Sequence, residues 1–401
     1  MEVAFFTDSY PPMRDGVAAV TGGLARTLSR LGHTVRVYAP NPRPGPASEE
    51  LRNGVTIRRV RTIPVPLYGQ YRWPLWPFGL LRSDRGVRDA DVIHLHTPGL
   101  LGTMAFLASR RFSRPLVGTF HTNIREMQES VPPKWLVPTF FRVAAWYNLG
   151  TYWRCDIATA PSEAARDSLL SGAKKPFHHP VEVVPNGIDV ERFRPDTSVP
   201  DWRARCGLPS APLVTYLGRL TVDKGVHRFL DAVETASAHT DLVAIVGGLG
   251  PEEGRVRERL AADPRLAARV RYVGPVAETE KAALLSQSDL FVLPSTSDTS
   301  SVALLEAMAC GTPVIAPSSG GAAEIVEDGV TGWRVAVTDP AALATSLETI
   351  LDETEVRRKV GVQAADFVRQ TASLETMARR FISLYRLVEV ERPLRDVGIP
   401  R

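Results

Sequence analysis

Short runs of apolar residues recur along the whole chain, and most of them are hydrophobic at every position rather than at every second one. Such runs are typical of strands in a parallel sheet whose two faces are both covered. The pattern predicts strands at 3–7, 34–39, 55–60, 91–96, 115–119, 156–160 and 181–184 in the first half, and at 213–218, 242–247, 270–274, 289–293, 313–316 and 333–337 in the second.

Helical periodicity fills many of the intervals, at 17–31, 100–111, 162–171, 226–238, 279–286 and 341–351. Alternating strands and helices predict an α/β architecture. Because the series runs twice, we expect two Rossmann-like domains rather than one large sheet. A segment rich in Pro, Arg and Asp at 189–212 lacks periodicity and suits a linker. We therefore place the domains at 1–190 and 191–374.

Composition narrows the functional classes. The 401 residues are 44% apolar and 23% charged, as is usual for globular proteins. The net charge of +4 argues against a nucleic-acid partner. Three widely spaced cysteines argue against a disulfide framework or a zinc site. The first residues lack a basic segment, and no stretch of about 20 apolar residues occurs, so we expect a cytoplasmic protein.

Charge is unevenly distributed, at +8 over residues 1–190 and −4 over residues 191–401. Segment 43–88 holds nine Arg against three acidic residues, together with five aromatic ones. Arginine among aromatic residues suits an anionic partner such as a phospholipid headgroup, a phosphorylated acceptor or nucleic acid. A solvated loop explains the composition equally well. Peripheral contact with an anionic membrane through 43–88 is therefore one of two open interpretations.

Two turns that follow predicted strands carry candidate ligand-binding residues. Gly16 follows the first strand, where glycine lets backbone N–H groups approach a ligand at the start of a helix. Arg219 and Lys224 follow a later strand and so lie at the carboxyl edge of a parallel sheet, where α/β proteins bind ligands. Two cations there suit a diphosphate. The structural alternative for Gly16 is an ordinary turn, and for Arg219 and Lys224 it is two solvated loop cations.

The run Gly247-Gly248-Leu249-Gly250 is similar to a dinucleotide fingerprint, but Glu253 stands where the third glycine is required. A dehydrogenase is therefore disfavoured. Pro251 is expected to begin the following helix.

The segment 298–311 is the most informative. A helix is predicted from about Ser300 to Gly311, and the amides of Ser300, Ser301 and Val302 at its positive end suit a phosphate. Glu306 lies inside this helix among apolar residues. A buried carboxylate needs partners, which the hydroxyls of a ribose would supply. The alternative is that Glu306 lies on a solvated stripe of the helix.

Four segments together resemble the retaining GT-B glycosyltransferases of family four, and the resemblance covers nearly the whole chain. They read GRLTVDKG, DTSSVALLEAMACGTPVIA, SSGGAAEIVEDGVTGW and PNGID. The resemblance implies two Rossmann-like domains facing each other across a cleft. The first domain binds the acceptor and the second the nucleotide sugar. It also implies a final helix, at about 375–401, that packs back onto the first domain.

The resemblance also implies roles for single residues. Arg219 and Lys224 match the diphosphate-binding pair, and Glu306 matches the second Glu of a Glu-x7-Glu motif, which holds the ribose. Asp298 occupies the place of the first Glu, which contacts the donor sugar.

In the first half, Gly16 matches a glycine that approaches the donor, and His121 matches a histidine beside the sugar ring. A core histidine at a strand end is the structural alternative for His121. The sequence departs from the family at Asp298 and at Ser300-Ser301, which replace Glu and Phe-Gly. This departure puts an unusual donor sugar among the options.

The mechanism implied is transfer with retention at the anomeric carbon, with a nucleotide sugar as co-substrate and no further cofactor. No metal is implied, since the Asp-x-Asp at Asp89–Asp91 lies away from the donor motifs. No carboxylate nucleophile is evident, which favours front-face attack over double displacement.

The acceptor stays open between two classes. The segments 6–12, 64–72 and 119–122 resemble enzymes acting on diacylglycerol or phosphatidylinositol, whereas the altered Asp298 region suits a natural-product aminocyclitol. A nucleotide-sugar epimerase of the same shape and a non-catalytic partner that binds sugar nucleotides are the alternatives from other classes.

Overall fold

The chain forms two compact units. The computed structural model describes residues 1–13, 15–65, 68–75, 84–121, 146–173, 175–196 and 201–395. Unit 1 holds the described residues up to Gly187 together with the segment that begins at Leu374, and unit 2 holds those from Ile188 to Ser373. The two units meet in sequence between Gly187 and Ile188 and between Ser373 and Leu374, and the domain limits at 190 and 374 stay predictions.

Unit 1 is built on a sheet of eight strands and a separate hairpin. Its strands are β1 (Glu2–Phe6), β2 (Thr34–Pro40), β3 (Ser48–Arg52), β4 (Val55–Val60), β5 (Thr62–Val65), β6 (Tyr68–Pro74), β7 (Val92–Leu95), β8 (Leu116–Thr119), β9 (Ile157–Ala160) and β10 (Val181–Val183). Its first helices are α1 (Gly16–Arg30), α2 (Arg85–Arg88), α3 (Leu100–Phe112) and α4 (Glu163–Gly172). Residues 146–153 are also helical.

The large sheet has the order β10-β9-β8-β7-β1-β2-β4-β3, and β5 pairs with β6. All pairs in the large sheet are parallel except β3 with β4. Between the parallel neighbours β1 and β7, the order in which successive strands are added to the sheet changes from one side to the other. Ligands of doubly wound folds bind at such a switch point, outside the carboxyl ends of the strands.

Unit 2 repeats this plan with six strands. They are β11 (Leu213–Leu217), β12 (Val243–Gly247), β13 (Val270–Gly274), β14 (Leu290–Val292), β15 (Val314–Pro317) and β16 (Trp333–Val335). The helices are α5 (Trp202–Arg205), α6 (Val226–Ala236), α7 (Glu253–Ala262), α8 (Pro264–Arg269), α9 (Glu278–Ser286), α10 (Val302–Ala309), α11 (Pro340–Asp352) and α12 (Thr354–Thr371), with a 3-10 turn at Ala323–Ile325.

The order β13-β12-β11-β14-β15-β16 is the Rossmann order, with its switch point between β11 and β14. Every residue of β11, β12 and β14 is buried, which explains why these strands read as continuous apolar runs.

The last helix, α13 (Leu374–Arg395), belongs to unit 1 and packs on α1. A side chain at Gly23 of α1 would collide with Leu374, so glycine permits the close approach of the two helices. Met377, Phe381 and Tyr385 of α13 are buried.

All thirteen predicted strands are present, with ends that differ by at most two residues. The prediction missed β3, whose five residues are all exposed and so carry no apolar pattern, and the hairpin of β5 and β6. Pro251 lies in a turn, because α7 begins only at Glu253. Among the described residues, no helix is long and apolar enough to cross a membrane.

Candidate active site

The loops that follow β11 and β14 bring two of the predicted donor residues of unit 2, Lys224 and Asp298, into contact. Lys224 donates to Oδ1 of Asp298 at 2.5 Å, and its Nζ lies 3.5 Å from the Ser295 hydroxyl. The side chains of Lys224 and Asp298 are only 12% and 14% exposed. The other Asp298 oxygen, Oδ2, is buried and has no hydrogen-bond partner among the described residues. A buried carboxylate oxygen without a donor is costly, so it is a ready acceptor for a ligand hydroxyl.

Asp223 joins the two loops beneath this pair. Its carboxylate accepts from the Ser297 hydroxyl at 2.9 Å, and its carbonyl accepts from the Thr296 amide at 2.9 Å. Burial acts to raise the pKa of Asp223, but the hydrogen bond from Ser297 and the charges of Lys224 and Arg219 outweigh burial and lower it. Asp223 is therefore a fixed negative charge beside the ammonium of Lys224.

Gly225 and Arg228 fix the loop against the end of β14. Gly225 has a φ of +73° and precedes α6, and a side chain there would collide with the carbonyl of Pro294. The Arg228 guanidinium donates to the same carbonyl at 3.0 and 3.1 Å and to the Asp223 carbonyl at 3.3 Å. Arg228 thus holds the diphosphate candidates in place without belonging to them.

Arg219 is half-buried on the loop after β11. Its carbonyl accepts from the hydroxyl of the buried Tyr216 at 2.9 Å, which fixes the backbone of this loop. The neighbouring run 247–250 packs on this loop: Gly248 and Gly250 leave no room for a side chain against the carbonyls of Gly218 and Leu220. These glycines are therefore explained by contact between two loops.

Glu306 has a partner that the sequence did not reveal. Lys281 of α9 donates to both of its carboxylate oxygens, at 3.0 and 3.1 Å, and also pairs with Glu278 at 2.9 Å. The Glu306 side chain is 6% exposed. Burial raises the pKa of Glu306, and the charge of Lys281 opposes that shift. A ribose is therefore not required to satisfy this carboxylate, contrary to the reasoning from the sequence.

The helix after β14 begins later than expected, because Ser301 is its N-cap and Val302 its first residue. The Ser301 hydroxyl accepts from the Leu304 amide at 3.3 Å, so this side chain is used within the helix. Ser300 lies in the preceding loop rather than in the helix. Of the three predicted phosphate-binding amides, only that of Val302 belongs to the helix.

In unit 1, Gly16 is exposed at the first position of α1, after the N-cap Asp15. The Asp15 carboxylate accepts from the Ala18 amide at 2.8 Å and from the Ser9 hydroxyl at 2.6 Å. This pair of bonds ties the loop after β1 to the start of α1. Buried Arg59 adds to it by donating to the carbonyl of Pro11 at 2.5 Å.

His121 follows β8 at the same carboxyl edge of the unit 1 sheet. Its Nε2 lies 3.1 Å from Nδ1 of His96, the residue that follows β7. Burial lowers the pKa of His121 to about 4, so its imidazole is neutral at physiological pH. His96 was not among the predicted site residues, because it lies within the predicted strand 91–96.

Several arginines of 43–88 form internal ion pairs. Arg58 binds Asp84 at 2.9 Å, and Arg59 binds Glu50 at 3.1 Å. Arg43 and Arg61 are exposed. The aromatic residues of this stretch lie outside the residues whose side chains are described. Fewer arginines of this stretch are therefore available to bind an anionic surface than the composition suggested.

The Asp-x-Asp at residues 89–91 serves the fold. The Asp91 carboxylate accepts from the Glu2 amide at 2.7 Å at the start of β1, and Asp89 ends α2. Both lie at the amino edge of the sheet, away from the edge that carries His121. In the part of the chain that is described, no cluster of three His, Cys, Asp or Glu could hold a metal ion.

Comparison with known proteins assigns the chain to a family. Residues 14–192 match the model of Glycosyltransferase Family 4, and residues 199–367 match that of Glycosyl transferases group 1. The chain is 30% identical to a GDP-mannose-dependent alpha-mannosyltransferase of Mycobacterium tuberculosis over 84% of each protein. The chain belongs to glycosyltransferase family four.

The D-inositol 3-phosphate glycosyltransferase of Frankia alni is 31% identical over 85% of this chain and 87% of that protein. Sucrose-phosphate synthase from Thermosynechococcus elongatus has a TM-score of 0.77 at 22% identity, covering 97% of this chain and 99% of that one. The chain therefore has the GT-B fold, as predicted.

Proposed function

We propose that this chain is a retaining, metal-independent glycosyltransferase. It moves a hexose-type sugar from a UDP- or GDP-linked donor to a hydroxyl of a small acceptor, and it needs no cofactor beyond that donor. The observation that carries the proposal is the part-buried ion pair of Lys224 and Asp298 at the switch point of unit 2. The pair sets a cation for phosphate beside a carboxylate oxygen that has no donor among the described residues.

The diphosphate would bind to Arg219, Lys224 and the amides at the start of α10, beginning with Val302. Arg would bind it through paired N–H groups and Lys as a point charge. These groups would stabilise the charge that develops on the leaving diphosphate. Because two cations and a helix start supply that charge compensation, no metal is included in the proposal.

The sugar would lie near Asp298, whose Oδ2 would accept one of its hydroxyl hydrogens. The ribose would lie near Glu306, which shares its oxygens with Lys281. A ribose hydroxyl can donate to a remaining lone pair of that carboxylate. Gly16 and His121 of unit 1 would contact the donor and orient the sugar. Retention would follow from front-face attack, with the leaving phosphate accepting the proton of the acceptor hydroxyl.

Two acceptor classes remain in the proposal. The D-inositol 3-phosphate glycosyltransferase relative supports a cyclitol-type acceptor, the class to which a natural-product aminocyclitol belongs. The motifs at 6–12 and 119–122 support a glycerolipid or phosphatidylinositol-type lipid. Exposed Arg43 and Arg61 are the cations that would attract an anionic bilayer. Co-sedimentation with anionic vesicles at low salt separates the classes, and failure to bind refutes the lipid version.

The test of the proposal is a donor screen followed by turnover. A bound nucleotide sugar raises the unfolding temperature by mass action, so UDP- and GDP-linked sugars are compared first. Release of nucleoside diphosphate is then measured with and without candidate acceptors. Release that depends on an acceptor supports transfer. Interconversion of the donor sugar with no release indicates an epimerase, and binding without turnover indicates a non-catalytic partner.

Glu306→Ala is expected to abolish activity while the fold remains. Lys281 keeps Glu278 as a partner in that variant, so the cation is not left isolated. Wild-type turnover by Glu306→Ala would refute the site assignment.

A further inference from the structure

Three histidine rings form a row that starts at His121 and runs into the core of unit 1. The His121 and His96 ring centroids are 5.4 Å apart with planes at 21°, and Nε2 of His121 meets Nδ1 of His96 at 3.1 Å. The His94 ring follows, with its centroid 3.9 Å from that of His96. His94 and His96 share one face of the sheet because they are two residues apart.

The inner end of the row is fixed by hydrogen bonds. His94 Nδ1 lies 2.7 Å from the hydroxyl of Tyr385 on α13, and its Nε2 lies 2.7 Å from the Thr119 hydroxyl on β8. Phe5 of β1 packs edge-on against both His94 and His96. The His96 ring is therefore confined between an anchored imidazole and a phenyl ring.

Burial lowers the pKa of His94 and His96 well below the ordinary value and that of His121 to about 4. Each ring is thus neutral near pH 7 and carries one N–H. A neutral imidazole has one donor and one acceptor, so one ring must donate and the other accept across the 3.1 Å contact.

The second ring nitrogen of His96, Nε2, decides which of the two rings donates the hydrogen bond. His96 is 1% exposed, and its Nε2 has no hydrogen-bond partner in the described part of the chain. A proton on that nitrogen would be a buried N–H without an acceptor, which is the arrangement that folded proteins avoid most strictly. The proton therefore belongs on Nδ1 of His96, which donates to Nε2 of His121. His121 in turn carries its proton on Nδ1.

We propose that His96 is a positioning residue that holds His121 as the Nδ1–H tautomer and fixes the orientation of its ring. The effect on sugar transfer rests on the proposed function, whereas the tautomer does not. Because Nε2 of His121 accepts from His96, the proton of this ring is on Nδ1, and a hydrogen bond donated by the ring comes from that nitrogen. His121 would then act on the sugar as a donor, not as a base.

The tautomer is measured on the full chain labelled with 15N-histidine, using long-range 1H–15N correlation spectra at pH 7.5. The chain has eight histidines, and His121→Gln identifies the His121 signals by their loss. We expect a protonated Nδ1 and an unprotonated Nε2 for His121. A protonated Nε2 would overturn the proposal.

Two similar variants separate positioning from packing. The amide nitrogen of Asn can occupy the place of the imidazole Nδ1, whereas that of Gln reaches the place of Nε2. His96→Asn should preserve the His121 tautomer, and His96→Gln should lose it. Thermal unfolding of both variants shows that each is folded before the spectra are compared. Loss of the tautomer in both variants, or in neither, would contradict the assignment.

Turnover gives the functional half of the test. His96→Gln should lower kcat about 10- to 100-fold, as expected for a misplaced site group, with a smaller change in the donor KM. His96→Asn should stay within about threefold of the wild type. Equal kcat losses in both variants would overturn the role in transfer. If the wild type transfers no sugar from any donor, the proposed function fails, while the spectra still decide the tautomer.

Discussion

The bidentate contact between Lys281 and Glu306 predicts a large and pH-dependent loss of stability in Lys281→Met. Methionine keeps most of the apolar stem but removes the charge that faces a carboxylate only 6% exposed. Leaving one member of a buried ion pair uncompensated costs about 3–5 kcal/mol. Because the Lys281 side chain is itself 22% exposed, we expect about 3 kcal/mol, at the lower end of that range.

The sign of the pH dependence follows from the raised pKa of Glu306. An acid whose pKa is higher in the folded state destabilises the fold increasingly as pH rises above its unfolded pKa. Removing Lys281 raises the pKa of Glu306 further. The stability deficit of Lys281→Met should therefore be larger at pH 7.5 than at pH 5. Urea unfolding at both pH values measures the deficit.

Glu278→Gln is the matched control, because it removes the other partner of Lys281. The Glu278 side chain is 47% exposed, so its loss should cost less than about 1 kcal/mol. The double variant Lys281→Met with Glu306→Leu should recover stability relative to Lys281→Met alone, since no buried charge remains. A deficit below about 1 kcal/mol, or one that does not change with pH, would refute the reasoning.

Three further predictions concern the loops and the histidine row. Gly225→Ala should lower the free energy of unfolding in urea by more than about 1 kcal/mol, because its φ is positive and the Pro294 carbonyl blocks a side chain. Gly254→Ala, in the open part of α7, is the control and should stabilise slightly. Equal effects of the two substitutions would contradict this prediction. His121 should contribute acid sensitivity. Burial lowers its pKa from the ordinary 6.5 to about 4, so the free energy of unfolding should fall by about 3 kcal/mol as the pH drops through that window. His121→Gln should reduce the dependence of the free energy of unfolding on pH, and an unchanged dependence would contradict this role of His121. Arg219→Lys should weaken nucleoside diphosphate binding in calorimetry about tenfold, because the paired N–H groups are lost; wild-type affinity would exclude a bidentate contact.

The sequence predicted the architecture well because fully buried parallel strands leave continuous apolar runs. β11 and β12 are buried at every position, and their run lengths predicted them directly. β3 is exposed at every position, so its existence depends on pairing with β4 rather than on any pattern within it. An edge strand of this kind carries too little signal for periodicity to detect.

Candidate site residues could be selected where a local motif marks them, whereas contacts between different elements could not be predicted. Lys224 and Asp298 were both selected, although their ion pair follows only from the neighbouring positions of β11 and β14. Lys281 was missed because it lies on another helix, 25 residues before Glu306. A buried Glu signals that a partner exists, but it does not identify that partner.

His94 and His96 were missed for a related reason. Their alternation places both on one face of β7, which the sequence shows, but the contacts with His121 and Tyr385 join residues from β8 and α13. Two histidines spaced by two residues in a buried strand are the available signal. Such a pair is worth examining wherever the strand ends at a ligand-binding edge.

Calorimetric titration of UDP and GDP into the wild type and Lys224→Met tests the donor site most directly. Lys359→Met is the control, because Lys359 is an exposed lysine on α12. A charge-assisted hydrogen bond contributes about 1.5–3 kcal/mol, so Lys224→Met should bind at least about tenfold more weakly while Lys359→Met matches the wild type. Binding of neither nucleotide by the wild type, or equal affinity in Lys224→Met, would contradict the assignment of the diphosphate site.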